Sequence, residues 1–182
     1  MPSAIGHAVF AISLTPFRPY QGNLLSTLLL AMACATIPDL DVIGFELGIR
    51  YGDMLGHRGF SHSIVFAMML GILIYSLFFR EEKSNTIQFL SISWFFFCCT
   101  ISHGLLDAMT DGGLGVGFFI PFSAERYFFS LRPIPVSSLN MSSFFTARGF
   151  NILQQELLFI GTISFFLIVA GYFWRKYFFV TD

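Results

Sequence analysis

Four histidines and a few aspartates carry most of the chemistry available to an otherwise apolar chain. His103 and Asp107 stand four residues apart in Ser102-His103-Gly104-Leu105-Leu106-Asp107, so on a helix both side chains leave one face and can share a ligand. Asp111 stays near that face only if the helix continues past Gly112-Gly113. His57 and His62 bracket Arg58-Gly59-Phe60-Ser61; two histidines five apart around a glycine fit a loop entering a helix better than a continuous helix face. Pro38-Asp39-Leu40-Asp41 sets two carboxylates where a proline ends a helix. Taken alone, these aspartates would be turn formers, and His7, on a short apolar segment, a core histidine.

Taken together they form a nitrogen-and-oxygen donor set of the kind that suits zinc or manganese. Cys34, Cys98 and Cys99 lie inside apolar runs and read as packing residues rather than thiolate ligands. A divalent ion with an open position lowers the pKa of a water to about 7, and two ions can stabilise both the attacking and leaving oxygens of a phosphoester. More than four candidate ligands leaves room for one or two ions. Arg58 has the fork geometry that meets a phosphate oxygen, Asp41 or Asp111 could hold the attacking water, and Arg126 could bind substrate charge. A serine nucleophile at Ser61 or Ser102 fits less well, since neither sits in Gly-x-Ser-x-Gly.

The elements that must position these residues are membrane helices. Of 182 residues, 55% are hydrophobic and only 12% charged; soluble domains carry about 25% charged residues, so this surface cannot face water all round. The net charge of −1 excludes the clustered basic excess that a nucleic-acid partner needs. Asn23 to Ile37, Ser63 to Phe79, Thr86 to Ala108 and Leu157 to Trp174 read as four spans, preceded by a shorter apolar helix, Ala4 to Leu14, that either crosses or re-enters. The expected fold is an all-α, polytopic transmembrane bundle forming one domain over residues 1–182. With Arg80-Glu81-Glu82-Lys83 as a hairpin on one side, alternation of the spans delivers Asp39, Asp41, His57, His62, His103, Asp107 and, if the first segment crosses, His7 to the other. Basic residues divide evenly, with Arg18, Arg80, Lys83, Arg175 and Lys176 opposite the site and Arg50, Arg58, Arg126, Arg132 and Arg148 on its side. Both lysines lie opposite the site, so the positive-inside rule leans toward a site that faces outward.

Gly6-His7, Pro38-Asp39-Leu40-Asp41, His57-Arg58-Gly59-Phe60-Ser61-His62-Ser63 and Ser102-His103-Gly104-Leu105-Leu106-Asp107 resemble, over residues 4 to 125, the YdjM-like family of bacterial and archaeal inner membrane proteins. Members of that family, some of them LexA-regulated, are described as metal-dependent hydrolases, and the family is similar to zinc-dependent phospholipase C and P1-type nuclease. The resemblance implies that His7, Asp39, His62, His103 and Asp107 touch the metal, with His57 and Asp41 as further ligands or supports. It implies a multi-pass inner membrane hydrolase acting on a phosphoester, a membrane lipid among the candidates. The rival expectation is a protein that binds or transports a metal ion without catalysis.

Overall fold

The computed structural model describes residues 1–80, 85–137 and 145–178. Among the described residues five α-helices run in chain order: α1 (Ala4–Leu14), α2 (Leu24–Thr36), α3 (Ile64–Phe78), α4 (Thr86–Ala108) and α5 (Ala147–Phe178). Short 3-10 turns follow α1 (Thr15–Phe17) and α2 (Ile37–Phe45), and another precedes α3 (Phe60–His62). Among the described residues there is no strand. The loop after α4 is tied by two isolated bridges, Thr110 to Ile134 and Val116 to Tyr127.

Each helix begins on a side chain that satisfies one of the orphan amides of its first turn. Ser3 Oγ accepts from Gly6 N at 3.2 Å, Asn23 Oδ1 from Ser26 N at 3.1 Å, and Ser63 Oγ from Phe66 N at 3.1 Å. Asn85 Oδ1 accepts from Gln88 N at 2.8 Å and Thr146 Oγ1 from Gly149 N at 3.2 Å. These caps set the helix lengths. Because Ser63 is a cap, α3 has 15 residues, and the span expected from Ser63 to Phe79 falls short of the crossing length. Pro38 ends α2 as an α-helix, but the chain continues as a 3-10 coil to Phe45, so the apolar run there reaches 22 residues. The last helix starts ten residues before the expected Leu157. Three helical segments are therefore long and apolar enough to cross a membrane, Leu24–Phe45, Thr86–Ala108 and Ala147–Tyr177, beside two shorter apolar ones, Ala4–Phe17 and Ile64–Phe78. The expected span over α3 is thus among the shorter segments, while α2, α4 and α5 reach full length.

α4 packs along α3 and α2, and α1 lies between α2 and α5. The core on the Arg18 and Arg80 side of the bundle mixes small and bulky residues: Ala11, Ala31, Cys34, Ala35, Leu70, Ile74, Phe95, Phe96 and Cys99. Large apolar side chains also point outward, among them Leu25, Leu29, Met69, Leu73, Trp94, Phe165 and Phe166, as a lipid-facing surface requires. The α3–α4 crossing depends on Gly71, where an added Cβ would fall on the Ser93 carbonyl oxygen and against the Phe97 amide. Small residues at such crossings let backbones approach closely. Gly71→Val is expected to destabilise the bundle by about 1–3 kcal/mol, read as a lower unfolding temperature in detergent; an unchanged melt would mean the two helices are not held in this contact.

Candidate metal centre

Three segments converge at the end of the bundle away from Arg80. Asp39 comes from the first turn of the 3-10 coil after α2, His62 from the turn before α3, and His103 and Asp107 from the last turns of α4. His62 Nε2 lies 3.0 Å from His103 Nε2, 3.3 Å from Asp107 Oδ2 and 3.7 Å from Asp39 Oδ1. His103 Nε2 is 3.3 Å from Asp39 Oδ1 and 3.7 Å from Asp107 Oδ2. A tetrahedral ion with ligands at about 2.0–2.1 Å separates them from one another by about 3.3–3.4 Å. The measured separations straddle that value, and all four donor atoms lie within 4.8 Å of each other.

The imidazoles are held for this purpose from behind. His103 Nδ1 is 2.7 Å from the Ala35 carbonyl oxygen, an acceptor only, so Nδ1 is assigned the proton and the Nε2 lone pair faces the centre. For His62 the same part falls to Ser61 and Asp41, with Nδ1 2.9 Å from Ser61 Oγ and 3.2 Å from Asp41 Oδ2. Such outer contacts fix the tautomer and raise the basicity of a ligating histidine. Asp41 is itself anchored, accepting from Ser61 Oγ at 2.6 Å and Arg58 N at 3.1 Å, and it pairs with His57 Nδ1 at 2.7 Å.

Nothing comparable satisfies the residues on the inside. Both carboxylate oxygens of Asp39 and Asp107, and both ring nitrogens of His7, are buried without a well-formed hydrogen bond. Each such group costs about 1–3 kcal/mol, more when charged. His7 is stacked on His103 with ring centroids 3.7 Å apart, and its Nε2 is 3.7 Å from Asp107 Oδ1. These donors fit a divalent cation in charge, in donor type and in spacing. Burial alone would lower the His62 pKa, but the carboxylates of Asp107, Asp39 and Asp41 around it raise it well above the ordinary value.

The other expected site residues take different places. Arg58, expected to meet substrate, is fully buried. Its Nε is 3.1 Å from Asp107 Oδ2, Nη1 donates to the Gly112 carbonyl at 2.9 Å and Nη2 to Thr110 Oγ1 at 3.0 Å. It lies against Asp107 and is turned toward protein groups rather than toward solvent. Its backbone adopts φ 61, a strained value for a non-glycine residue, which lets the amide reach Asp41 while the side chain turns inward. Arg126 binds backbone carbonyls of His57, Tyr51 and Asp53 at 2.9–3.1 Å and so staples the loops. His57 sits on the far side of Asp41 from the four donors. Asp41, His57 and His62 also group closely, but at hydrogen-bonding distances that leave no unmet valence. Asp111 is exposed and accepts from Val136 N at 2.8 Å, because α4 ends at Ala108 and the chain has already turned away. Asp41 is thus engaged by Ser61, His57 and the Arg58 amide, and Asp111 lies on the exposed loop after α4.

One buried acid went unnoticed in the sequence. Glu156, fully buried on α5, accepts from Ser3 N at 2.9 and 3.0 Å and from Ser3 Oγ at 2.6 Å. It fastens the start of α1, and with it His7, to the last helix. The signal was available, since an ionisable residue within an apolar helix is a site candidate by default; placing the start of the span at Leu157 hid it.

The family described as YdjM inner membrane protein matches residues 2–179. Inner membrane protein YbcI of Escherichia coli (strain K12) is 35% identical over 143 residues, covering 78% of this chain and 80% of that protein. No solved structure matches the chain.

An ion that takes the His62 lone pair has to displace any proton held there. The raised His62 pKa therefore predicts that affinity for zinc climbs with pH, by about tenfold per unit while one proton is expelled, and that calorimetric heats vary with the buffer's ionisation enthalpy. Affinity independent of pH between about pH 6 and 8 would contradict this arrangement. Glu156→Leu, which strands the Ser3 amide and hydroxyl, is expected to cost about 1–3 kcal/mol in thermal unfolding.

Proposed function

Because this chain belongs to the YdjM inner membrane protein family, we propose that it is a multi-pass inner membrane enzyme that hydrolyses a phosphoester with one or two divalent ions, zinc or manganese. The observation that supports this most is the set of buried, unpartnered donors from Asp39, His62, His103 and Asp107 at the spacing of a metal's ligands. An ion bound there supplies Lewis acidity toward a phosphoryl oxygen and lowers the pKa of a water to about 7.

The residues divide the remaining work. His62 and His103 present lone pairs fixed by Asp41 and the Ala35 carbonyl. Asp107 is held by Arg58 and turns its Oδ1 toward His7, where a second ion would sit. Asp39 is the one of the four whose side chain keeps some exposure, 13%, although both its oxygens are buried, so water and substrate would reach the centre past it. Its unpartnered Oδ2 takes a proton from the water as oxygen attacks phosphorus, and returns it to the leaving alkoxide as the phosphorus–oxygen bond breaks.

In this reading α1 and α3 cross the bilayer with the longer helices. With Arg58 buried and Arg126 bound to backbone carbonyls, the site side keeps Arg50, Arg132 and Arg148 against five basic residues opposite. That imbalance favours a cytoplasmic Arg80 side and an outward-facing site.

A second reading is favoured by the closure of four protein ligands around one point, the pattern of ions held without turnover. In that case the protein binds a metal and catalyses nothing. A conduit is disfavoured by the apolar core that fills the bundle beyond the site.

Elemental analysis of detergent-purified protein separates these readings when paired with hydrolysis of a chromogenic phosphodiester. Wild type is expected to carry zinc or manganese near one per chain or above, and to turn the ester over. His62→Ala, His103→Ala should lose both properties, whereas His7→Ala should keep an ion at the four-donor centre. Metal without turnover would select the second reading. Folded wild type that binds neither ion would end both.

A further inference from the structure

Helix lengths give the depth of the centre. From Leu24, α2 rises about 20 Å and the following 3-10 turn adds about 6 Å to reach Asp39. From Thr86, α4 rises about 26 Å to His103. The two short apolar segments are each about 22 Å long, Ala4–Phe17 beginning three residues before His7 and Ile64–Phe78 two residues after His62. Both end beside the charged Arg18 and Arg80 positions, at the level where α2 and α4 begin. A hydrocarbon core is about 30 Å thick. Measured from that common face, the donors lie inside the slab, a few ångströms below its opposite surface.

The outward face of the coil that carries Asp39 is apolar. Asp39 and Asp41 turn inward from the 3-10 coil, and the residues between and beyond them turn outward: Leu40 is 60% exposed and Ile43 58%. Three residues apart on a 3-10 coil, they stand on one edge, and they extend the same segment whose exposed Leu25 and Leu29 form the outer face of α2. Two leucine-sized side chains presented to water beside a catalytic opening would forfeit about 1.5–3 kcal/mol each. Presented to acyl chains, they forfeit nothing.

We infer that the centre opens sideways into the bilayer across Leu40 and Ile43, and that its substrate is a phospholipid whose phosphoester headgroup reaches Asp39 from within the leaflet. The lateral opening stands on depth and exposure alone. The identity of the substrate rests in addition on the hydrolytic reading given above.

Two measurements keep these apart. In a Trp94→Phe, Trp174→Phe background, Leu40→Trp is reconstituted in vesicles containing phosphatidylcholine brominated near the top of the acyl chains. Its fluorescence should be quenched as strongly as that of native Trp94, which stands on the outer face of α4; a tryptophan at Glu46, exposed on the same segment, should be quenched far less. No quenching at position 40 beyond that at position 46 would overturn the lateral opening. Separately, Leu40→Glu, Ile43→Glu is assayed with its metal content checked. Hydrolysis of phosphatidylethanolamine–phosphatidylglycerol vesicles should fall about tenfold or more, while turnover of a water-soluble phosphodiester persists. Equal effects on the two substrates would overturn the lipid assignment. Quenching at position 40 with no turnover of either substrate by wild type would overturn the hydrolytic reading and leave the opening in place.

Discussion

Three carboxylates, Asp39, Asp41 and Asp107, and one guanidinium, Arg58, are gathered in the interior with almost no contact with water. With neutral imidazoles, this group carries a residual charge of two negative units, and an uncompensated charge in such surroundings costs several kcal/mol. One divalent cation cancels that residue. Much of the local structure follows from this requirement. Arg58 accepts an unusual backbone conformation to bring its charge to Asp107. Ser61, the Arg58 amide and His57 converge on Asp41. Gly113, at φ 91, leaves room where a side chain would collide with the Arg58 guanidinium and the Tyr51 hydroxyl.

The same requirement accounts for what was legible in the sequence. His103 and Asp107 could be paired because the four-residue helical spacing fixes their relation regardless of context. His62 and Asp39 could be joined to them because the alternation of apolar runs sends their segments to the same end. The roles of Arg58, Arg126 and Asp111 were not legible, since each depends on where a loop turns. Residues 46–62 and 109–137 contain no helix or strand beyond one short turn, and no periodicity tells whether an arginine in such a stretch reaches outward to a ligand or inward to a carboxylate.

The shortness of α1 and α3 has a related cause. Hydropathy reads an apolar run as a crossing of standard length, but α1 and α3 are short at the end where His7 and His62 must be placed. A helix that continued another two turns there would carry its backbone through the space the loops occupy and would cover the donors. Non-helical backbone at that depth is tolerable only where it is packed against protein. Here the loop groups are paired: Gly117 N donates to the Arg58 carbonyl, Phe60 N to the Met54 carbonyl and Ile64 N to the Phe118 carbonyl, all at 2.8–3.0 Å.

Glu156 shows how far this organisation extends from the donors themselves. α5 is the least buried of the long helices and packs on α1 and the turn after it, so it could pass for a membrane anchor. Yet it spends a fully buried carboxylate on Ser3, the residue that caps the helix bearing His7. Gly6, between them, is held against Ile160 and Glu156 with no room for a side chain larger than hydrogen without displacing Ile160. A helix needed only for anchoring has no use for a buried acid, which lipid makes costly. Its presence ties α5 to the start of α1 and so to the placement of His7 beside Asp107.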